Sequence, residues 1–127
     1  MRVHQSSGEF AFFYEGLARQ ELLMQRCSQC SLIRNPPSTM CGQCGSFEWA
    51  PVRMSGRGTV FSFAVHHHPP LEGFVLPHPV GVVQLEEGVR VVAGLDGMEI
   101  NSIAIDNPVQ VEFIERNGRA SFRFGPA

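Results

Sequence analysis

Hydrophobic residues near the N-terminus recur at the period of a helix. Over residues 7–20, apolar side chains stand three and four positions apart, at Phe10, Phe13, Tyr14 and Leu17. Ser6 or Ser7 can cap the start of this predicted helix. Phe12 lies off the stripe, so its ring either packs under a neighbouring loop or contacts a partner protein.

From residue 48 onward the pattern changes to short runs rich in Val, Ile and Phe, with turn residues between them. The predicted strands are EWAPVRM, GTVFSFAVHH, HPVGVVQLE, VRVVAGLD, PVQVEFIE and ASFRFGP. Glu87-Gly88 and Asn117-Gly118 lie between successive runs as tight hairpins. The segment MEINSIAID is too short for a crossover helix. Five or six short strands suggest a small closed or partly closed barrel, and five of them with a loop or single helical turn after the third match an oligonucleotide/oligosaccharide-binding (OB) barrel.

Phe61 and Phe63 alternate onto one face of the strand GTVFSFAVHH. Such aromatic side chains would stack on bases if they lay on the outer face of a nucleic-acid-binding barrel, and otherwise they fill the barrel core. The chain has no Lys, ten Arg and a net charge of -2. This charge disfavours general electrostatic binding of nucleic acid, and it favours the core position for both rings.

Two Cys-x-x-Cys pairs, ten residues apart, contain all the cysteines of the chain: Cys27, Cys30, Cys41 and Cys44. Such pairs can supply four thiolates to one tetrahedral Zn²⁺, with Gly42 and Gly45 permitting the tight turns. Disulfides and thioredoxin-like redox chemistry are disfavoured, because neither a secretory signal nor a βαβ pattern is seen. Iron stays an alternative metal. Four thiolates leave no open coordination position, so the predicted site is structural.

The segments around the cysteines, ELLMQRC and LIRNPPSTMC, predict two short strands and a Pro-Pro turn. This region is too short to form a core of its own. Metal binding would supply the missing folding free energy, on the order of 10–16 kcal/mol. We therefore expect a helix and metal-binding domain over 1–47 and a barrel domain over 48–127.

The chain shows no pattern of secretion or membrane insertion. Its first twenty residues contain Glu9 and Glu15 and no unbroken apolar run, so they do not predict a secretory signal. No later stretch approaches the ~20 apolar residues that span a membrane. The cytoplasm is the expected location, and thiols stay reduced there.

Four of the five His residues lie in the segment HHHPPLEGFVLPHP, residues 66–79. His66, His68 and His78 could bind a metal or act as acid and base, but no regular element orients them. A contact loop stiffened by Pro is therefore favoured. No Ser stands in a nucleophile-elbow context and the carboxylates are scattered, so no catalytic residue is predicted.

The segments FFYEGLARQELLMQRCSQCSLIRNPPSTMCGQCGS and EWAPVRMSGRGTVFSFAVHHHPP resemble an acyl-CoA-associated family, formerly a domain of unknown function. The resemblance rests on the four Cys, the Pro-Pro between them and the run SGRGTV. It implies a mainly β fold, in which an N-terminal helix and a rubredoxin-like zinc ribbon precede a five-stranded OB-fold barrel. It also implies that Zn²⁺ is held by Cys27, Cys30, Cys41 and Cys44.

Members of this family typically serve as accessory subunits of thiolase-like, hydratase or other acyl-CoA enzymes, and a similar domain in steroid side-chain breakdown pairs with a thiolase-fold aldolase. We therefore expect a non-catalytic accessory subunit in a hetero-oligomer with a thiolase-fold acyl-CoA enzyme. The expected partner contacts are Phe12, His66 and His68. A stand-alone acyl-CoA-binding module is the alternative, with Arg57 and Arg90 on the CoA phosphates. Single-stranded nucleic-acid binding is a third, less favoured interpretation.

Overall fold

The computed structural model describes residues 10–70 and 72–127, which divide into two compact units between Ser55 and Gly56. The expected boundary after residue 47 lies N-terminal to this one. The difference arises because the segment EWAPVRM, expected in the barrel, pairs instead with the first strand of the N-terminal unit.

The N-terminal unit contains one helix, α1 (Ala11–Ala18), and three strands, β1 (Leu23–Cys27), β2 (Ile33–Arg34) and β3 (Trp49–Arg53). The strands form an antiparallel sheet in the order β2-β1-β3. Its core contains the side chains of Leu17, Leu22, Leu23 and Met24. The ring of Phe12 lies 4.9 Å from that of Trp49, so the residue off the predicted stripe is half-buried.

The predicted helix is confirmed over a shorter range than 7–20, and the proposed caps Ser6 and Ser7 lie outside the described residues. At its C-terminus the N–H groups of Arg19 and Glu21 both donate to the Gly16 carbonyl, and the Gln20 N–H donates to that of Leu17. Gln20 has a φ of 61°, the left-handed conformation that commonly ends a helix. No helix in the described ranges is long and apolar enough to cross a membrane.

The C-terminal unit is a closed barrel of five strands: β4 (Arg57–His66), β5 (His78–Leu85), β6 (Arg90–Gly94), β7 (Pro108–Arg116) and β8 (Arg119–Pro126). The strand order β4-β5-β6-β8-β7 is that of an OB barrel. A 3-10 helix, Ile100–Ser102, lies between the third and fourth strands, where a single helical turn was expected. The core includes Val60, Val83, Leu85, Leu95, Val109 and Phe124.

Both predicted hairpins are present. Arg116 and Arg119 pair across the turn at Asn117 and Gly118, whose φ values are 55° and 76°. Two successive positive φ values match the tight turn that suits twisted antiparallel strands. Between β5 and β6, the Gly88 N–H donates to the Leu85 carbonyl.

The core position predicted for Phe61 and Phe63 is wrong. Their side chains are 47% and 38% exposed, whereas Val60 is fully buried. The two rings do not follow one alternation: Phe61 lies beside Arg90, and Phe63 is the register partner of Gly81. A register shift between Val60 and Ser62 indicates a β-bulge at Phe61, a feature that the spacing of hydrophobic residues does not reveal.

Candidate metal centre

Two knuckles of nearly the same backbone geometry present the four cysteines. In the first, the Ser31 N–H donates to the Cys27 carbonyl at 3.0 Å, and the Cys27 N–H donates to the Leu32 carbonyl at 2.8 Å. In the second, the corresponding bonds join Gly45 to Cys41 at 2.9 Å and Cys41 to Ser46 at 2.8 Å. The two Cys-x-x-Cys pairs are thus copies of one hydrogen-bonded turn.

Each turn reaches a left-handed backbone conformation at the residue after its second cysteine. Gly45 has a φ of 81°, as expected for a glycine needed by the turn. Ser31 takes the same role in the first knuckle with a φ of 69°. Gly42, which was also expected to supply this freedom, does not have a positive φ.

The four sulfur atoms form one compact cluster. Cys27 Sγ lies 3.6 Å from Cys44 Sγ, and Cys30 Sγ lies 3.6 Å from Cys41 Sγ. All four lie within 4.8 Å of one another. Zn–S bonds of about 2.3 Å at tetrahedral angles place neighbouring sulfurs about 3.8 Å apart. The cluster therefore has the size of a tetrahedral zinc site.

Backbone amides around the cluster favour thiolates. The Cys30 N–H, and more weakly that of Gln29, hydrogen-bonds to Cys27 Sγ and lowers the pKa of this thiol to about 6, although burial opposes the shift. The backbone N–H groups of Cys44 and Gln43 lower the pKa of the Cys41 thiol in the same way.

Cys44 shows why the cluster needs a cation. The Ser46 N–H lowers the pKa of the Cys44 thiol, but burial and the three neighbouring sulfurs outweigh it and raise that pKa to about 11. Four thiolates this close would repel one another, whereas a bound divalent metal keeps coordinating thiols deprotonated. The donor set fits structural zinc, with no coordination position left for substrate or water.

Two polar residues that the sequence analysis did not select anchor the loop between the knuckles. Gln25 in β1 and Arg34 in β2 are register partners. Gln25 Oε1 accepts from the Ser38 N–H at 2.9 Å, and Arg34 Nη2 donates to the Ser38 carbonyl at 3.2 Å. Their roles depend on strand register, so no short sequence motif identifies them.

The predicted CoA contacts, Arg57 and Arg90, lie on the barrel surface. Arg57 Nη2 is 2.8 Å from Glu86 Oε2, and both side chains are about half exposed. The Arg90 guanidinium stacks over the Phe61 ring, with Cζ 3.7 Å from the centroid, and its Nε donates to Gln84 Oε1 at 3.0 Å. The exposed Phe61 ring thus carries a cation on one face.

Of the three selected His residues, His66 and His78 are neighbours across the β4–β5 ladder, and no metal-type cluster of three includes them among the described residues. His66 Nε2 lies 2.8 Å from the Pro69 carbonyl oxygen, and His68 is exposed. His78 is only 6% exposed, with its ring 4.5 Å from that of Phe74. The one metal-type cluster found in the described ranges is the four cysteines.

Comparisons with known proteins match each of the two units to a protein family model. A family model described as the ChsH2 rubredoxin-like zinc ribbon domain matches residues 15–50, and the ChsH2 C-terminal OB-fold domain matches residues 51–113. The chain is 43% identical over 110 residues to the 3-oxo-4,17-pregnadiene-20-carboxyl-CoA hydratase alpha subunit of Mycobacterium tuberculosis, covering 87% of this chain. It spans about a third of the length of the hydratase subunits it matches.

Two further relatives carry other names. A DUF35 domain-containing scaffold protein of Pyrococcus furiosus is 35% identical over 103 residues, which are 80% of this chain and 73% of that protein. The benzoylsuccinyl-CoA thiolase subunit BbsA of Geobacter metallireducens is 33% identical over 86 residues, 68% of this chain and 57% of that subunit.

A solved structure described as the Ltp2-ChsH2(DUF35) aldolase contains a chain with the same fold. The TM-score is 0.88 at 37% sequence identity, over 94% of this chain and 95% of that one. Relatives of this chain are therefore subunits of thiolase and aldolase assemblies. With both of its units matched, the chain belongs to the DUF35 family, whose ChsH2-type members join a rubredoxin-like zinc ribbon to an OB-fold domain.

Proposed function

We propose that this chain is a non-catalytic accessory subunit that binds a thiolase-fold acyl-CoA enzyme in a cytoplasmic hetero-oligomer. The observation that carries the proposal is the match, over nearly the whole chain, to a chain of the Ltp2-ChsH2(DUF35) aldolase. The relatives named as a scaffold protein and as a thiolase subunit support the same role.

The chemistry of the metal centre supports catalysis by the partner. A zinc with four thiolate ligands cannot activate water or polarise a carbonyl, since both actions need an open coordination position. The zinc instead fixes the two knuckles and the strands that carry them. In this proposal Phe12, His66 and His68 are partner contacts, and the half-buried Phe12 ring acts together with Trp49.

Direct contact with acyl-CoA is a second candidate function, favoured by the stacked pair of Phe61 and Arg90. Gln84 is the register partner of both Arg90 and Thr59, so this pair lies on the outer face of three adjacent strands. An exposed aromatic ring can stack on the adenine of CoA, and Arg can bind its phosphates. Arg57, already paired with Glu86, would contribute a second guanidinium.

The proposal is tested by coexpressing the chain with thiolase-fold enzymes encoded beside its gene, and separately with Ltp2. We expect one of them to co-elute with this chain in gel filtration and to gain solubility or acyl-CoA-cleaving activity. If none co-elutes and none gains activity or solubility, the accessory role is wrong.

Calorimetry on the isolated chain separates the other functions. Saturable heat of binding from an acyl-CoA, with a lower affinity in Arg90→Gln, would support the CoA contact. A titration without heat of binding would rule this contact out. Retention of a single-stranded oligonucleotide at low salt, lost steeply as salt rises, would indicate nucleic-acid binding instead.

A further inference from the structure

Half of strand β4 has one edge without a pairing partner among the described residues. The barrel closes where β4 pairs with β7 over Arg57–Thr59, and the Val60 N–H and carbonyl still bond to Asn107 and Asp106. Beyond this point, Ser62–His66 pair with β5 on one side, and no strand or loop backbone of residues 10–70 and 72–127 pairs with them on the other. We call this side of Ser62–His66 the open edge.

The strand register shows which backbone groups face the open edge. The Pro79 carbonyl accepts from the Leu95 N–H, so Pro79 directs its carbonyl away from β4. Its register partner on β4 is Val65. Opposite residues of an antiparallel ladder either exchange both hydrogen bonds or make none, and the two kinds of pair alternate. Val65 and Phe63 therefore direct their N–H and carbonyl groups to the open edge, whereas those of Ala64 bond to β5.

The open edge is accessible and lacks the usual protection against strand pairing. Residues 61–64 are all exposed, and the Phe63 side chain is 38% exposed. Natural edge strands are commonly protected by Lys, by Pro or by inward-pointing charges, but the run FSFAV over residues 61–65 has no charge and no Pro. The bulge at Phe61 lies before the open edge begins. An extended segment of another chain can therefore approach this edge and pair with it.

A cavity beside the open edge favours an apolar side chain on such a segment. The cavity has a volume of about 240 Å³ on the outer face of β4, β5 and β6, and its lining includes Ser62, Ala64, Val80, Val82 and Val92. Ser62 and Ala64 are small, and their register partners on β5 are Val82 and Val80. Because neighbouring strands lie about 4.8 Å apart, a long side chain of an added strand can cross over Ser62 or Ala64 and contact these valines.

We infer that the open edge receives an extended, uncharged segment of the partner enzyme as an added β-strand, an inference that rests on the proposed accessory function. The backbone groups of Phe63 and Val65 select an extended conformation, and the cavity selects a Leu, Met or Phe on the outer face of the segment. Five residues cannot hold two proteins together alone, since stable interfaces use about 20–30 residues a side. The segment therefore belongs to a partner bound by further contacts, and His66, already proposed as one of them, is the last residue of the open edge.

Hydrogen exchange of single amides tests the added strand directly. The Phe63 and Val65 amides should exchange rapidly in the free, zinc-loaded chain. In its complex with the co-eluting thiolase-fold enzyme, with Ltp2 as the first one tested, they should exchange about 100-fold or more slowly. The Ala64 amide bonds to β5, so it should be protected in both states and is an internal control. Mass spectrometry with electron-transfer fragmentation resolves these three positions.

Variants of the open edge supply a second readout. Val65→Pro removes an N–H that faces the open edge and leaves the β4–β5 hydrogen bonds in place, and edge strands tolerate Pro at such positions. We expect it to weaken binding about 10-fold or more, since a buried carbonyl of the partner loses its donor. Val65→Ala keeps the N–H and should change the affinity less than about 3-fold.

A second pair of variants replaces the first if Val65→Pro does not fold. Ala64→Lys places a charge at the cavity that should receive an apolar side chain, so it should also weaken binding about 10-fold. Thr59→Lys is its matched control, because Thr59 is likewise exposed on β4 but lies where β7 already occupies the edge. The control should bind within about 3-fold of the wild-type chain.

Three results would overturn the inference while leaving the accessory function standing. One is a complex in which the Phe63 and Val65 amides exchange as fast as in the free chain. Another is a folded Val65→Pro chain that binds as tightly as the wild-type chain. The third is a homodimer of the free chain in which both amides are already protected, since a second copy would then occupy the open edge. Failure of the wild-type chain to bind any tested enzyme would instead remove the accessory function, and the inference with it.

Discussion

The two cysteine knuckles place different residue types in the same left-handed backbone position. Both need a left-handed residue after the second cysteine, and they use Ser31 with a φ of 69° and Gly45 with a φ of 81°. This conformation costs an L-amino acid roughly 1–2 kcal/mol but costs glycine almost nothing. The first knuckle therefore carries strain that the second avoids.

Exchanging these residue types should move stability in opposite directions. Gly45→Ala should lower the free energy of unfolding of the zinc-loaded chain by about 1–2 kcal/mol. The cost comes from the positive φ, because no atom lies within 4 Å of a Cβ at this position. Ser31→Gly should raise the free energy of unfolding by less than about 1 kcal/mol, because glycine also makes the unfolded chain more flexible.

Denaturant unfolding at saturating zinc measures both changes. Gly42→Ala is the control, because Gly42 has no positive φ and its Cβ would also meet open space. A change within about 0.5 kcal/mol is expected for it. Equal effects of Gly42→Ala and Gly45→Ala would show that the left-handed turn does not determine stability here.

The segment between β4 and β5 packs on the end of the barrel through Phe74. The Arg116 guanidinium lies 4.3 Å from the Phe74 ring centroid, and its Nη1 donates to the Gly73 carbonyl at 3.1 Å. Asp96 Oδ2 pairs with Arg116 at 3.3 Å and with Arg123 at 3.7 Å. His78 completes this end as a buried imidazole against Phe74.

This packing makes stability depend on pH through His78. Burial, together with the positive charge of Arg116 and the proximity of His66, lowers the imidazole pKa below its usual 6.5, although Asp96 opposes the shift. As pH falls through 6.5, the unfolded chain binds a proton at His78 that the folded chain does not yet bind. The free energy of unfolding should therefore decrease as pH falls from 7 toward 5.

His78→Gln should flatten that dependence, and urea unfolding at several pH values measures it. His67→Gln is a suitable control, because His67 belongs to the same His run but is exposed. The control should keep the slope of the wild-type chain. If His78→Gln keeps it as well, the imidazole has the same pKa in the folded and unfolded chains, and its burial does not determine the slope.

The sequence predicted which helices, strands and turns form better than it predicted which strands pair and which side chains face outward. The helix, the two hairpins and the knuckles follow from local signals such as Asn117-Gly118 and the cysteine spacing. The pairing of β3 with β1 and the outward position of Phe61 follow from register and a bulge, which are set by distant strands. The contacts of Gln25 and Arg34 with Ser38 were not predicted for the same reason.

The two compact units are stabilised by different means. The barrel closes on itself, so its hydrogen-bond ladder is continuous through β4-β5-β6-β8-β7 and encloses an apolar core. The N-terminal unit has a three-stranded sheet whose second strand contains only two residues. In that unit, two of the metal ligands, Cys27 and Cys41, are themselves core residues. Metal binding and folding should be inseparable there and independent in the barrel.

Removal of the metal tests this division. The chain should contain one zinc, measured by elemental analysis, and a strong chelator should remove it more readily as pH falls and thiolates take up protons. After removal, amides of Leu23–Cys27 and Trp49–Arg53 should lose most of their protection from hydrogen exchange. Amides of β4 to β8 should keep theirs, and added Zn²⁺, but not Mg²⁺, should restore the ribbon. Equal loss of protection in both units would show that zinc stabilises the chain as one cooperative body.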